Sequence, residues 1–421
     1  MSPLIPYQDA IRILKSSAKN RSKKIEEVPL LQSMNRVIAE DVRASEFIPA
    51  FDNSAMDGFA VRSQDLHDGT NRILVAARSI AGDLPGTAFD SNRVVEIMTG
   101  APMPMGGFDR IVKVEDVSVH PAENGARIIE FESSAAKPEF VRFRGTDFKP
   151  GDLLCSPGTL VDSKLILGLA ALGVSRVPVF QKPRVALITT GNELVSFEEP
   201  NVPEGAVRNS TGPYLMEALK SFGCEVRNLG VMGDEASENP IEFDEALRVA
   251  LEEGFDLILT TGAVSMGVHD FVKPSVVKNG GRVLFHKVAI KPGKPVLFAE
   301  FPDFPNSRLL GLPGNPISSV VGADFFLAPF LREWFCGSES APLKGRILGS
   351  LPPTPVGLRT FLKAKATLLP EGGYGVEILS GQGSFMIHSL SYANAWAVIP
   401  ETGAQSGEVV EFHLFQERLW Q

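Results

Sequence analysis

Three apolar segments of this chain each end in a short loop that contains glycine. The segments are residues 185–188, 256–259 and 308–312, and their loops begin Thr189-Thr190-Gly191, Thr260-Thr261-Gly262 and Pro313-Gly314-Asn315-Pro316. Short apolar runs bounded by turn-forming residues are typical of strands buried in a parallel sheet. Because open α/β sheets bind ligands at the carboxyl ends of their strands, we predict that these loops form one binding site.

Bulk properties indicate a globular chain of several domains. A length of 421 residues predicts about three domains. The net charge of −9 argues against a general affinity for nucleic acid or anionic membranes. Cys155, Cys224 and Cys336 are odd in number and far apart, which argues against a disulfide framework or a cysteine zinc site and fits a reducing compartment. With no membrane-spanning run and no signal pattern, we expect a soluble, cytoplasmic protein.

The order of periodic segments predicts a multidomain fold of α/β and β parts. An amphipathic helix is expected at 6–18 and a short helix from Glu27 to near Asn35. Alternating strands and helices between 182 and 335 predict a mostly parallel sheet. Short apolar runs predict β-rich modules before and after this region. The runs are 73–77, 94–98, 110–114 and 127–131 before it, and 360–368, 374–379, 395–399 and 409–415 after it.

Charged residues fall in the loops of the central region. Glu193, Asp234 and Asp270 follow predicted strands, and carboxylate oxygens are the ligands that Mg²⁺ prefers. Lys291 and Lys294 flank a Pro-Gly turn, where both ammonium groups can face one anion. The alternatives are that each carboxylate caps a helix and that the lysines are simply solvated. Neither a Ser-His-Asp arrangement nor a Walker-type loop is readable.

Seven short motifs, taken together and in order, resemble the MoeA family of molybdopterin molybdenumtransferases, to which the E domain of gephyrin also belongs. The resemblance spans nearly the whole chain. Ala263 stands where many members of the family have glycine. The motifs begin at Phe51 (FDNSAMDGFAV), Met98 (MTGAP), Gly145 (GTD), Thr189 (TTGNEL), Gly262 (GAVSMG), Ile290 (IKPGKP) and Leu312 (LPGNP).

The resemblance implies a homodimer with four domains in each chain. These are a linking domain (20–43 and 148–178), an inserted β-rich domain (44–147), a molybdopterin-binding α/β domain (1–19 and 179–335) and a small C-terminal β-barrel-like domain (336–421). It also implies the reaction, in which adenylated molybdopterin and molybdate give molybdenum cofactor and AMP with Mg²⁺. The inserted domain of one subunit is expected to face the central domain of the other.

The resemblance also implies roles for individual residues. Glu193, Asp234 and Asp270 are the expected Mg²⁺ ligands. The expected catalytic residues are those three acids with Asp57, Asp147 and the hydroxyl of Thr99. The expected binding residues are Gly191, Gly262, Ser265, Gly267, Lys291, Lys294, Pro313, Gly314, Asn315, Pro316, Arg359 and Ser384.

Two other functions stay open at this point. One is a non-catalytic anchoring protein like the gephyrin E domain, although the printed sequence carries no preceding adenylating domain and therefore favours the enzyme. The other is a paralogue that inserts tungstate, since the two oxyanions are nearly the same size. The molybdopterin adenylyltransferase is a candidate partner.

Overall fold

The computed structural model describes residues 4–19, 23–84, 89, 92–232, 241–264, 271–335 and 341–415. Three six-stranded sheets dominate these ranges, one in each of three successive parts of the chain. None of the helices within the described ranges is long and apolar enough to cross a bilayer.

The first helix, α1 (Tyr7–Lys19), confirms the amphipathic pattern predicted at 6–18. It buries Tyr7, Ala10 and Leu14, which follow one another at intervals of three and four residues and so lie on one face. The Tyr7 ring meets Phe326 edge-on, with 5.7 Å between the ring centroids. The helix therefore belongs to the core of the central domain, more than 300 residues further along the chain.

The short helix predicted from Glu27 is wrong. Residues Ile25–Pro29 form strand β1, followed by a 3₁₀ turn over Leu30–Gln32. Val28 is buried between exposed neighbours, an alternation that suits a strand, and all five residues of β1 pair with residues of a strand at 176–180. Asn35, near which that helix was expected to end, has a left-handed backbone conformation with φ of 60°.

The β-rich module follows β2 (Val42–Arg43) and confirms the four strands predicted for it. Its six-stranded sheet has the order β7-β4-β6-β5-β9-β8. Phe59, Val94 and Ile129 lie in its core. The strands of the module are β3 (Asn53–Ser54), β4 (Gly58–Val61), β5 (Thr70–Ser79), β6 (Arg93–Ile97), β7 (Arg110–Lys113), β8 (Ser118–Pro121), β9 (Arg127–Glu132) and β10 (Val141–Arg142).

The chain enters and leaves this module along two neighbouring segments. Strand β11 (Leu153–Cys155) runs antiparallel to β2. Between that pair and the β-rich module, the two segments stay hydrogen-bonded: Ala44 N donates to Asp152 O over 2.8 Å, and Ile48 N donates to Phe148 O over 2.8 Å. We call this double-stranded connection the stalk. It continues into helix α2 (Ser163–Ala171) and strand β12 (Arg176–Phe180), which pairs with β1.

The central domain confirms the predicted alternation of strands and helices. Its sheet has the order β16-β13-β17-β21-β20-β18, in which the first four strands are parallel and β20 runs antiparallel to both of its neighbours, β21 and β18. A π-helical turn, Ala323–Leu327, joins the last two helices. The elements are β13 (Arg184–Thr190), β14 (Leu194–Val195), β15 (Val207–Arg208), α3 (Thr211–Ser221), β16 (Glu225–Met232), α4 (Ile241–Glu252), β17 (Leu257–Thr261), α5 (Val272–Lys278), β18 (Arg282–His286), β19 (Ile290–Lys291), β20 (Leu297–Glu300), β21 (Arg308–Leu312), α6 (Pro316–Gly322) and α7 (Ala328–Trp334).

Both faces of this sheet are covered. Leu187 and Leu259 point into the core shared with α1 and α7, whereas Ile188 and Ile258 point into the core shared with α4 and α5. Successive strand residues face opposite sides of a sheet, so a continuous apolar run serves two cores. Residues 185–188 and 257–259 are accordingly all apolar. The one polar residue of the two runs, Asp256, stands immediately before β17.

The C-terminal domain is a small closed barrel, as predicted. Pairings run from β23 to β24, β22, β26, β25 and back to β23, so the five strands form a ring. Strand β19 of the central domain adds to this ring by pairing with β23. The barrel strands are β22 (Leu343–Leu348), β23 (Arg359–Leu368), β24 (Tyr374–Ile378), β25 (Ala395–Ile399) and β26 (Val409–Leu414).

Candidate active site

The two Thr-Thr-Gly sequences lie side by side at the carboxyl edge of the central sheet. In the parallel register Thr189 is opposite Thr261, and Thr261 is opposite Leu312. The Thr190 hydroxyl donates to Thr261 O over 3.0 Å, and Gly262 N donates to Leu312 O over 3.0 Å. The ends of β13, β17 and β21 are thus joined directly, as the sequence repeats predicted.

Glycine is needed where these loops meet. Gly262 has φ of +85°, and a Cβ placed there would lie 2.4 Å from Thr190 Oγ1. Gly191 has φ of +145°, and a Cβ there would lie 2.7 Å from Glu193 Oε2. A Cβ on Gly314 would be 3.4 Å from Gly262 Cα. The three loops therefore pack closely against one another at this edge, with the exposed Glu193 carboxylate beside them.

Helix α6 brings the basic loop to the same region. A Cβ on Gly293, between Lys291 and Lys294, would lie 3.5 Å from Ser318 O in the first turn of α6. That turn follows directly on the predicted loop 313–316, with Pro316 as the first helical residue. The 313–316 loop therefore connects the glycines of the central sheet to the two lysines.

Ser384 reaches the same helix from the barrel domain. Its carbonyl accepts a hydrogen bond from Ile317 N over 3.0 Å. The N–H groups of the first helical turn have no partner within the helix, so this bond satisfies one of them. The structure thus brings Ser384, the 313–316 loop and the Lys291–Lys294 loop together.

Asp57 and Thr99 form a pair on the β-rich module. Both the backbone N–H and the hydroxyl of Thr99 donate to Asp57 Oδ1, over 2.7 and 2.8 Å. The backbone hydrogen bond, aided by the hydroxyl, holds the pKa of Asp57 below its ordinary value. The exposed Asp57 carboxylate is therefore held in its ionised form beside Thr99.

Asp147 lies at the top of the stalk. Its N–H donates to Ile48 O over 2.9 Å, and nearby Arg144 N donates to Asp52 Oδ1 over 2.7 Å. These bonds attach the Asp147 loop to the segment that leads to Asp57. Sequence reasoning did not single out Asp52, although it belongs to the same polar run.

Arg359 faces a cavity between α1, the central domain and the barrel. Its guanidinium donates to Glu411 Oε2 over 2.9 Å and lies 5.1 Å from the centroid of the Tyr7 ring. The cavity has a volume of about 650 Å³, and Asp324, Trp396 and Arg359 contribute to its wall. The backbone of Arg359 is nevertheless next to the basic loop, because it pairs with Ile290. Its role in anion binding stays a prediction.

Asp324 in the same cavity predicts a pH-dependent stability. Burial raises its pKa to about 6, although Trp396 Nε1 donates to Asp324 Oδ2 over 2.7 Å. A carboxyl whose folded pKa lies above its unfolded value stabilises the fold at low pH and loses that contribution as pH rises through the interval between them. We expect wild-type stability to fall by about 2–3 kcal/mol between pH 4 and 7 from this group.

Chemical denaturation between pH 4 and 7 measures the free energy of unfolding of the wild type and of Asp324→Asn. Asparagine is chosen because its side chain cannot ionise but still offers an oxygen to Trp396. We expect a flatter profile for Asp324→Asn than for the exposed control Asp303→Asn. Parallel profiles for the two variants would contradict the assignment to Asp324.

Four predicted site residues fall in the two gaps that adjoin the site. Asp234, Ser265, Gly267 and Asp270 lie outside the described residues. Of the three predicted Mg²⁺ ligands, only Glu193 is therefore described. Among the residues that the structure does describe, no group of three or more His, Cys, Asp or Glu side chains is arranged to hold a metal ion. Glu193 is an exposed carboxylate, a donor type that suits Mg²⁺, and its role as a ligand stays a prediction.

Three protein-family models match successive parts of the chain. The MoeA N-terminal region (domain I and II) matches residues 5–173. The probable molybdopterin binding domain matches 186–333 and so contains the edge where the glycine loops meet. The MoeA C-terminal region (domain IV) matches 352–415. Fold and site together define a multidomain protein built around an α/β domain of the molybdopterin-binding type.

Relatives are similar over nearly their full length. A molybdopterin molybdenumtransferase of Synechococcus elongatus is 38% identical over 402 residues, covering 94% of this chain and 96% of that protein. One from Haemophilus influenzae is 31% identical, with 95% and 98% covered. The crystal structure of the molybdopterin biosynthesis MoeA protein from Pyrococcus horikoshii superimposes with a TM-score of 0.81 at 27% identity, covering 98% of this chain and 100% of that one. The chain belongs to the MoeA family.

Proposed function

We propose that this chain is a molybdopterin molybdenumtransferase that transfers molybdate onto adenylated molybdopterin with release of AMP. The observation that carries the proposal is the meeting of the Gly191, Gly262 and Gly314 loops beside Glu193 at one sheet edge. Helix α6 connects that edge to Lys291 and Lys294. One region thus combines closely packed glycine loops, a carboxylate and two cations, which suits a large anionic ligand.

The two lysines are suited to the oxyanion. Molybdate is a dianion, and ammonium groups bind such ions through charge-assisted hydrogen bonds. Gly293 between them lies against α6, so both lysines belong to a loop whose position is fixed by the helix. Lys291 and Lys294 therefore bind molybdate or the neighbouring phosphate of the adenylated substrate.

The carboxylates are suited to a Mg²⁺-dependent reaction. Glu193, Asp234 and Asp270 would hold the ion, which when bound supplies charge neutralisation at the phosphate oxygens. Pro313 and Pro316 restrict the backbone of the loop that seats the pterin. Glu193 itself needs the glycine at 191 to occupy its position above the loop.

We propose that the active protein is a homodimer. Asp57 and Thr99 lie on the β-rich module, and Glu193 lies in the loop after β13 of the central domain. We propose that the module of one subunit faces the central domain of the other, so that each site uses both chains. The four domains predicted from the resemblance are the units of this assembly. The protein acts in the cytoplasm after the molybdopterin adenylyltransferase, which makes its substrate.

AMP release from adenylated molybdopterin tests the function directly. The purified protein is incubated with this substrate, Mg²⁺ and molybdate, with tungstate as a second arm. We expect AMP release that depends on the oxyanion. Release of AMP at the same rate without any oxyanion would contradict the proposal, and a preference for tungstate would assign the chain to tungstate insertion instead.

Glu193→Ala should reduce this activity by at least about a hundredfold, because it removes a proposed ligand of the Mg²⁺ that would neutralise the phosphate oxygens. The exposed Glu204→Ala, on the same connection between β13 and α3, is the control and should retain wild-type activity. Wild-type turnover in Glu193→Ala would remove this residue from the mechanism while leaving the fold assignment intact.

A further inference from the structure

Lys363 is a lysine that is fully buried in the wall of the barrel. It lies on β23, its exposed fraction is 0%, and burial lowers its pKa. Its ammonium group donates to Gly381 O over 2.6 Å and to Met386 O over 2.8 Å, with Gly383 O at 3.5 Å. An ammonium group has three N–H donors, and three backbone carbonyls of one loop face them here.

The loop that Lys363 holds spans residues 379–389. Gln382 adds a second attachment, because its amide accepts from Lys363 N over 3.0 Å and donates to Lys363 O over 2.9 Å. Ser389 Oγ donates to Gly381 O over 2.7 Å. The loop has no regular secondary structure before the 3₁₀ turn that begins at His388, so these side-chain bonds help to define its course.

The outer side of the 379–389 loop contacts the proposed site. The Ser384 carbonyl accepts from Ile317 N at the start of α6, and Ser318 of that helix lies against Gly293 of the basic loop. A continuous series of contacts therefore leads from the buried ammonium of Lys363 to the Lys291–Lys294 loop.

We propose that Lys363 is a positioning residue: by fixing the 379–389 loop it places the Ser384 carbonyl on the start of α6, and so sets the basic loop in the position that binds the oxyanion. The effect on oxyanion binding rests on the proposed function, whereas the coupling between the 379–389 loop and α6 does not. A buried cation that bonds only to a loop near the site thereby acts on substrate binding without touching the substrate.

Lys363→Met tests the proposal, with Lys365→Met as the matched control. Lys365 is two residues further along the same strand and exposed. Hydrogen–deuterium exchange is followed for peptides that cover the 379–389 loop and the start of α6. We expect faster exchange in both regions for Lys363→Met and in neither for Lys365→Met, because only Lys363 holds the loop.

Kinetics separate positioning from a merely structural role. In Lys363→Met we expect KM for molybdate to rise about tenfold with kcat nearly unchanged, since a displaced loop weakens oxyanion binding. KM for adenylated molybdopterin should change much less. If Lys363→Met does not fold, Ser389→Ala removes one bond from the same loop and should show the same pattern more weakly.

The outcomes distinguish this inference from the proposed function. Faster exchange confined to the 379–389 loop, with α6 unchanged, would overturn the coupling whatever the activity of the protein. An unchanged KM for molybdate in a variant whose α6 does exchange faster would overturn the role in oxyanion binding. A wild-type protein that releases no AMP would contradict the proposed function, and the exchange experiment would still decide the coupling.

Discussion

A heterodimer of two inactive variants, Asp57→Ala and Glu193→Ala, is expected to have about half of the wild-type activity per dimer, because a twofold dimer has two equivalent sites. If each site combines the β-rich module of one chain with the central domain of the other, one site of this heterodimer contains both intact residues. The other site lacks both. The two variants are co-expressed with different affinity tags, the heterodimer is purified through both tags, and AMP release is measured.

The reciprocal heterodimer gives the opposite result. When a wild-type chain is paired with the double variant carrying both Asp57→Ala and Glu193→Ala, each composite site lacks one residue, so the heterodimer should be inactive. If instead both residues acted within one chain, the reciprocal heterodimer would be half active and the first one inactive. The two measurements together therefore assign the site to one chain or to two.

Gly262→Ala should destabilise the protein by about 3 kcal/mol. The added Cβ would lie 2.4 Å from Thr190 Oγ1 and 2.7 Å from Thr190 O, and the residue has φ of +85°. The left-handed conformation alone costs a residue with a Cβ about 1–2 kcal/mol, and overpacking a tight contact adds about 1–3 kcal/mol. The midpoint of urea denaturation measures the loss.

Gly254→Ala separates the two contributions. Gly254 has a similar φ of +69°, but a Cβ there would have no heavy atom within 4 Å. Only the conformational cost of about 1–2 kcal/mol applies to it. Equal losses of stability in the two variants would contradict the close contact between Thr190 and Gly262, because the steric contribution would then be absent.

The part of the site that the sequence predicted best is the part made by strand ends. The ends of neighbouring parallel strands lie at the same edge of a sheet, so the two apolar runs that stop at Thr-Thr-Gly were expected to end side by side. The Thr190 hydroxyl does donate to the Thr261 carbonyl at that edge. The helical reading of residues 27–35 failed because the pairing of β1 with β12 joins residues about 150 positions apart. Local spacing carries no information about such a partner.

Lys363 shows a second limit of sequence reasoning. Lys363 and Lys365 are two residues apart on β23, so their side chains leave the strand on the same side. Lys363 is nevertheless fully buried, whereas Lys365 is exposed. The difference arises from the carbonyl groups of Gly381 and Met386, which accept hydrogen bonds from the Lys363 ammonium group and lie 18 and 23 residues further along the chain. Asp52 was missed for a similar reason, since its partner Arg144 N lies 92 residues away.

The stalk makes the β-rich module separable from the remainder of the chain. Because β2 and β11 are antiparallel neighbours, the points where the module begins and ends are only about 5 Å apart. A two-residue turn can bridge such a gap, so residues 44–151 can be excised without stretching the backbone on either side. The shortened chain would keep the glycine loops, Glu193 and both lysines of the basic loop but have no Asp57, and it offers a way to study ligand capture apart from turnover.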